Sequence, residues 1–260
     1  MTVSLIAVDM DGTFLDDNKE YDRQYFAELF QRMQDQNVEF VVASGNQYAQ
    51  LANFFAPYRE KITFVSENGG NIWLHQEPIY HARISNAVQN KALNAIKQLN
   101  PDFVIACGFK SAYVLDTITD EQFKVASSYF PQIEKVESLE NLNDDIIKYS
   151  VEVKEKSTFK NDFDGELIAV PTGGSGIDLI LPGVHKAAGI KKVQERLNIP
   201  TEEVAAFGDN GNDREMLAHA HYSFAMENAI PEVKKIASAV IGNNNDKAVL
   251  KTIERLLAST

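Results

Sequence analysis

The chain has 260 residues, room for one large domain or two modest ones, with 44% hydrophobic and 24% charged residues, an ordinary globular balance. Lys and Arg number 25 against 37 Asp and Glu, a net charge of −12 at pH 7. That charge argues against nucleic acid or an anionic membrane surface as partner, and an anionic substrate would have to meet positive charge placed locally. No apolar run reaches the roughly 18 residues of a membrane span, and the N-terminus lacks the basic stretch and apolar core of a secretory leader, so a cytoplasmic protein is expected.

In chain order, residues 2–8 (TVSLIAV) read as a buried strand, and 22–36 as an amphipathic helix with Tyr25, Phe26, Leu29, Phe30 and Met33 on one face. Residues 38–43 give a second strand, 47–56 a helix and 62–66 (ITFVS) a third strand. Strands alternating with helices predict right-handed βαβ units and a parallel sheet. The middle of the chain differs. Helices are expected at 84–98 and 120–129, a short helix-like stretch at 157–163, and strands at 102–107, 111–115, 145–153, 166–170 and 177–181, an α+β pattern with hairpins. The alternating pattern then returns, with helices at 185–197, 212–219, 231–237 and 246–258 and strands at 203–207 and 222–226. The expected architecture is therefore an α/β core of residues 1–81 and 185–260, with an α+β domain inserted at 82–184. Cys107, the single cysteine, lies in the strand-like DFVIACGF; it excludes an internal disulfide, fits a reducing compartment, and reads as a small core residue because no histidine pairs with it.

In an open α/β sheet, ligands bind beyond the carboxyl ends of the strands. Asp9-Met10-Asp11-Gly12-Thr13 follows the first strand, Ser44-Gly45-Asn46 the second, Glu67-Asn68-Gly69-Gly70 the third, and Gly208-Asp209-Asn210-Gly211-Asn212-Asp213 the strand at 203–207. Lys186 opens the helix after the insert. Polar and small residues thus gather at one sheet edge. Asp9 and Asp11, two residues apart, pose a repulsion that a metal cation, a shared proton or exposure in a turn would relieve. Ser44 and Gly45 precede a helix whose N-terminal dipole favours an anion, Gly12 permits a tight turn that frees backbone N–H groups near Met10, and Lys186 adds a point charge. Asn212 is a further candidate donor.

DMDGT, SGN, Lys186 and GDNGND resemble, in this order, the four motifs of the haloacid dehalogenase superfamily of phosphotransferases. The insert between the second and third motifs is similar to the α+β cap of its Cof-type subfamily. ASGNQYAQL, ENGG, ACGFKSAYV, GSGIDLILPGVHKAAGI and GDNGNDREML…YSFAMENA extend the likeness, nearly end to end, to bacterial sugar phosphatases of that subfamily. The resemblance implies a Rossmann-like core and hydrolysis of a small phosphorylated metabolite, a sugar phosphate above all. It implies Asp9 as nucleophile through an aspartyl-phosphate, Asp11 as general acid and base, and Lys186 as a catalytic cation. Mg²⁺ would be held by the carboxylates of Asp9 and Asp209 and the backbone carbonyl of Asp11, with Asp213 orienting Lys186 or metal-bound water. Met10, Ser44, Gly45, Lys186 and Asn212 would bind phosphate. Many members of the wider subfamily carry Arg where this chain has Asn46, which removes a possible cationic contact to substrate. A phosphomutase that hands the phosphoryl group to a second hydroxyl, or a non-catalytic phosphometabolite sensor, would use the same pocket. The chain is expected to act as a monomer or weak oligomer.

Other features have plainer readings beside functional ones. TGGSG at 172–176 resembles a phosphate loop but lacks the Lys-Ser/Thr ending, and reads as a hairpin or hinge, with a substrate loop as the alternative. His185 either touches substrate or starts a helix. Lys110 and Ser111 either face the substrate or form a hairpin turn. His75, His81, His219 and His221 show no metal-ligand spacing with a cysteine.

Overall fold

The computed structural model describes residues 2–153, 163, 165–172 and 176–258. The helix-like stretch expected at 157–163 and the centre of TGGSG lie outside the described residues, apart from Phe163. The strands form two sheets. The first has eight: β1 (Leu5–Val8), β2 (Glu39–Ala43), β3 (Thr63–Ser66), β4 (Asn71–Leu74), β5 (Glu77–His81), β12 (Val204–Gly208), β13 (Tyr222–Ala225) and β14 (Ala239–Val240), in the order β14-β13-β12-β1-β2-β3-β4-β5. The six from β14 to β3 are parallel, and β3, β4 and β5 pair antiparallel. The second has β6 (Phe103–Gly108), β7 (Ala112–Leu115), β8 (Ile133–Val136), β9 (Ile146–Glu152), β10 (Ile168–Pro171) and β11 (Gly176–Ile180), in the order β10-β11-β9-β6-β7-β8. It is antiparallel except where α4 (Asp120–Tyr129) carries the chain from β7 to a parallel β8.

Strands β1, β3 and β12 are buried at every position, which requires cover on both faces of the first sheet. Helices α1 (Arg23–Asp35) and α8 (Ala248–Ala258) pack together, as do α5 (Lys186–Leu197) and α6 (Arg214–His219); α2 (Tyr48–Phe54) lies on β3 and α7 (Pro231–Ile236) on α6. Phe14, Phe26, Phe40 and Phe55 meet in one aromatic cluster, ring centroids 5.2 to 6.0 Å apart. In the second sheet α3 (Asn86–Gln98) packs through Ala92, Leu93 and Ile96 on Tyr149 and Val151, while α4 packs through Ala126 on Ile105 and Cys107. Local chemistry fixes the helix starts: Asp22 and Ser85 accept from Tyr25 N–H and Val88 N–H, and Thr119 and Gln122 form a reciprocal cap.

β4, β5, β8 and β14 were not evident in the sequence. The β4–β5 turn is made by His75 and Gln76, both with positive φ (47° and 72°), in place of the Asn-Gly pair that usually marks such a hairpin. Pro78 further masks β5 as a strand. Gly176 and Ile177 pair with Thr172 and Pro171, so hydrogen bonds flank TGGSG as in a hairpin. Lys110 and Ser111 turn the chain between β6 and β7, and both their backbone N–H groups donate to Asp144 Oδ2. No helix among the described residues is long and apolar enough to cross a membrane.

Candidate active site

Register assembles the site. Val8 pairs with Phe207 on one side and Val42 on the other, so the residues after all three strands emerge at one edge. Asp9 extends the ladder by one bond, its N–H donating to Phe207 O at 3.0 Å. The chain then coils through Met10–Phe14, with Gly12 at φ 76° and the N–H groups of Phe14 and Leu15 returning to Asp9 O and Met10 O. A Cβ on Gly12 would stand 2.6 Å from Asp209 Oδ2, so only glycine serves both the left-handed turn and the approach to that carboxylate.

Asp9 (6% exposed), Lys186 (0%) and Asp213 (0%) converge from three segments. Lys186 Nζ donates to Asp9 Oδ1 at 2.5 Å and to Asp213 Oδ1 at 2.7 Å. Asp213 Oδ2 accepts the N–H groups of Asp209 and Asn210, so this carboxylate fixes both the lysine and the loop that carries Asp209. Thr13 Oγ1 donates to Asp209 Oδ1 at 3.0 Å. One oxygen from each of Asp9, Asp209 and Asp213 lies within 4.8 Å of the others. Burial, then the Asp213 charge, pushes the Asp9 carboxyl well above the usual range, and Lys186 only partly opposes this. Burial and Asp213 likewise push Asp209 up to about 6. Burial works against the charge on Lys186, but Asp213 and Asp9 outweigh it and hold the ammonium above the ordinary lysine range. The cluster is thus short of positive charge even with its lysine in place. His185 caps the helix behind Lys186, its Nδ1 accepting from Ala188 N–H. Gly69, at φ 93°, lets the loop after β3 come so close that a Cβ there would meet His185 O at 2.4 Å.

Asp11 takes a different path from the one its spacing suggests. The charges that act most on the Asp9 carboxyl are Asp213, Lys186 and Asp209, and Asp11 is not among them. Its carboxylate is about half exposed and is held by Lys19 Nζ at 2.6 Å and Asn46 Nδ2 at 3.1 Å. Ser44 is buried, its Oγ accepting from Asn46 N–H at 3.2 Å. Gly45 O accepts from Lys148 Nζ at 3.0 Å. Asn212 Nδ2 donates to Asn68 Oδ1 at 3.2 Å, which ties the loops after β12 and β3 together. The Met10 side chain is buried in the core, leaving its backbone as the part at the site.

The model of the haloacid dehalogenase-like hydrolase family matches residues 6–253. The chain belongs to that family. This hydrolase is 39% identical over 263 residues to a 5-amino-6-(5-phospho-D-ribitylamino)uracil phosphatase of Escherichia coli (strain K12), covering 99% of this chain and 97% of that one. A phosphatase of the same description from Bacillus subtilis (strain 168) is 27% identical over 264 residues, covering 96% of each chain. A crystal structure from Streptococcus mutans UA159 superposes with a TM-score of 0.91 at 33% identity, covering 99% of this chain and 100% of that one. The hydrolase is an enzyme of the phosphoric monoester class.

The donor set fits a divalent cation. Asp9 and Asp209 offer hard oxygen ligands, both are held above the ordinary carboxylate range by burial and the Asp213 charge, and Gly12 leaves room beside Asp209 Oδ2 that any side chain would fill.

Proposed function

We propose that this hydrolase is a cytoplasmic, Mg²⁺-dependent phosphatase of small metabolites that carry phosphate on a sugar or sugar-alcohol chain. The observation that carries the reading is the convergence of Asp9, Lys186, Asp209 and Asp213 at the strand ends, with Asp11 half exposed and held by Lys19 and Asn46. The activity of the two relatives, that of 5-amino-6-(5-phospho-D-ribitylamino)uracil phosphatases, supports the leaving-group class. The inserted segment 82–184 is read as the cap that closes over the leaving group and excludes water.

Asp9 attacks phosphorus; an Asp9–phosphate bond forms as the bond from phosphorus to the ester oxygen breaks. Protonated Asp11 gives its proton to that departing oxygen. Asp11, now a carboxylate, takes a proton from water, and the hydroxide attacks phosphorus to release inorganic phosphate and regenerate Asp9. Lys186 steers Asp9 and offsets charge on the phosphoryl group, Asp213 keeps Lys186 in place, and Ser44 with the Gly45 and Met10 backbone receives phosphoryl oxygens. Asp9 and Asp209, with the Asp11 carbonyl, would hold Mg²⁺, which when bound neutralises the phosphoryl oxygens.

The test is phosphate release from a panel of sugar phosphates, a phosphorylated ribitylaminopyrimidine, nucleotides and an aryl phosphate, with Mg²⁺ or EDTA, for wild type and Asp9→Asn. Mg²⁺-dependent release that is strongest on the sugar-chain substrates and lost in Asp9→Asn is expected. Isomerised product without free phosphate would instead identify a mutase, and binding without turnover a sensor.

A further inference from the structure

A second buried charge cluster lies where the two sheets meet, and the mechanism above does not use it. Lys148 on β9 is 2% exposed. Its Nζ is 2.8 Å from Asp178 Oδ2 on β11 and 2.8 Å from Glu67 Oε2 in the loop after β3. Its third contact, at 3.0 Å, is Gly45 O. The Glu67 contact is electrostatic, since Oε2 makes no aligned hydrogen bond. Ionic clusters this buried rarely repay their desolvation in stability, which favours a positioning role for this one.

The backbone of Ser44, Gly45 and Asn46 supplies one. All three carbonyls are held: Ser44 O accepts Asn68 N–H at 2.9 Å, Asn46 O accepts Glu67 N–H at 3.1 Å, and Gly45 O accepts Lys148. The first two bonds come from the same sheet as Ser44; only Lys148 reaches across from the other. Glu67 and Asn68 adopt left-handed backbone (φ 51° and 55°), which costs energy for residues other than glycine and marks a loop held in shape by its contacts. A peptide is planar, so fixing Gly45 O fixes the Asn46 N–H on its opposite side. That N–H donates to Ser44 Oγ, and the Asn46 side chain donates to Asp11 Oδ2.

We propose that Lys148 is a positioning residue for phosphoryl transfer: it sets the Gly45–Asn46 peptide, and through it the Ser44 hydroxyl and the Asp11 carboxylate. The inference rests on the roles assigned above to Ser44 and Asp11. Because it acts on the phosphate loop, its effect does not depend on which leaving group is bound.

The test compares wild type, Lys148→Met, and the charge-neutral triple variant Lys148→Met/Glu67→Gln/Asp178→Asn, which removes the bond to Gly45 without stranding buried carboxylates. Thermal melts identify the folded variants, and the triple variant decides if Lys148→Met alone does not fold. Inorganic phosphate, titrated by calorimetry in Mg²⁺, should bind about 10-fold or more weakly to the variants, the scale of losing one charge-assisted hydrogen bond. kcat/KM should fall by a similar factor on every sugar phosphate tested. Unchanged phosphate affinity in the folded triple variant overturns the proposal. So does a loss in kcat/KM confined to some leaving groups, which would make Lys148 a specificity contact. Wild-type protein that binds no phosphate and releases none overturns the phosphatase reading, and the proposal with it.

Discussion

Asn46 Nδ2 donates to Asp11 Oδ2 at 3.1 Å, so this side chain holds the carboxyl group proposed above as the general acid. Proton donation to the leaving oxygen contributes ~10²–10⁴-fold, and it matters most when the leaving group is a poor one. Asn46→Ala should therefore lower kcat on alkyl phosphates by about 10-fold and on an aryl phosphate far less, because loosening the acid forfeits only part of that factor. Steady-state kinetics on the two substrate types checks this; equal losses on both would mean that Asn46 does not act through Asp11.

Lys186 is the shared partner of two buried carboxylates. Lys186→Met should abolish turnover and lower the unfolding free energy by about 3–5 kcal/mol, the cost of leaving buried charge unpaired. Urea denaturation in EDTA measures the second effect. Adding Asp9→Asn to that variant should recover part of the loss, since one of the stranded charges is then gone.

Acid–base linkage gives a third expectation. Burial and the Asp213 charge push Asp209 up to about 6 in the folded protein against 3.8 for an ordinary aspartate, so between those values the folded state holds a proton that the unfolded chain has released. Without metal, this group's stabilisation is present at low pH and is lost as pH rises through about 6, and Asp9 acts in the same direction. A divalent cation competes with that proton, so the rise in Tm caused by Mg²⁺ should be small near about pH 5 and larger near about pH 7.5. Asp209→Asn should flatten the EDTA slope and remove most of the Mg²⁺ effect; thermal melts across pH test both.

Gly12→Ala places a methyl group 2.6 Å from Asp209 Oδ2 in a backbone region that alanine disfavours. A loss of about 1–2 kcal/mol from the left-handed backbone alone is expected. Mg²⁺ affinity should fall as well, because Asp209 must move aside. Calorimetric titration of Mg²⁺ into the folded variant would show this, and unchanged affinity would place the cation away from Asp209.

Much of the site could be read from the residues that follow each strand, because a parallel sheet delivers them to one edge whatever the loops do. Asp9, Ser44 and Asp209 come together by β-ladder register, and Lys186 joins them because α5 starts against the Gly69 loop. What strand ends do not encode is direction. Asp9 and Asp11 look like a repelling pair, yet the coil at Gly12 sends one inward and the other out to Lys19. Lys19 itself sits in a turn with left-handed backbone (φ 62°) and carries no sequence signal. Lys148 was equally hidden: in DIIKYSVEV a lysine at an alternating position reads as the wet face of a strand, whereas here it is buried against Asp178 of its own sheet and against Glu67 and Gly45 of the other sheet's loops.

The outermost strands carry one more consequence. Unpaired strand backbone invites other chains to add on, the first step of filament growth. Here β14 is two residues long, β5 contains Pro78 and meets β4 through a register shift, β10 ends on Pro171, and β8 carries the charged pair Glu134-Lys135. Among the described residues, all four margins offer a template too short, interrupted or charged to extend. A chain with two open-edged sheets thereby presents little at those edges for another chain to extend.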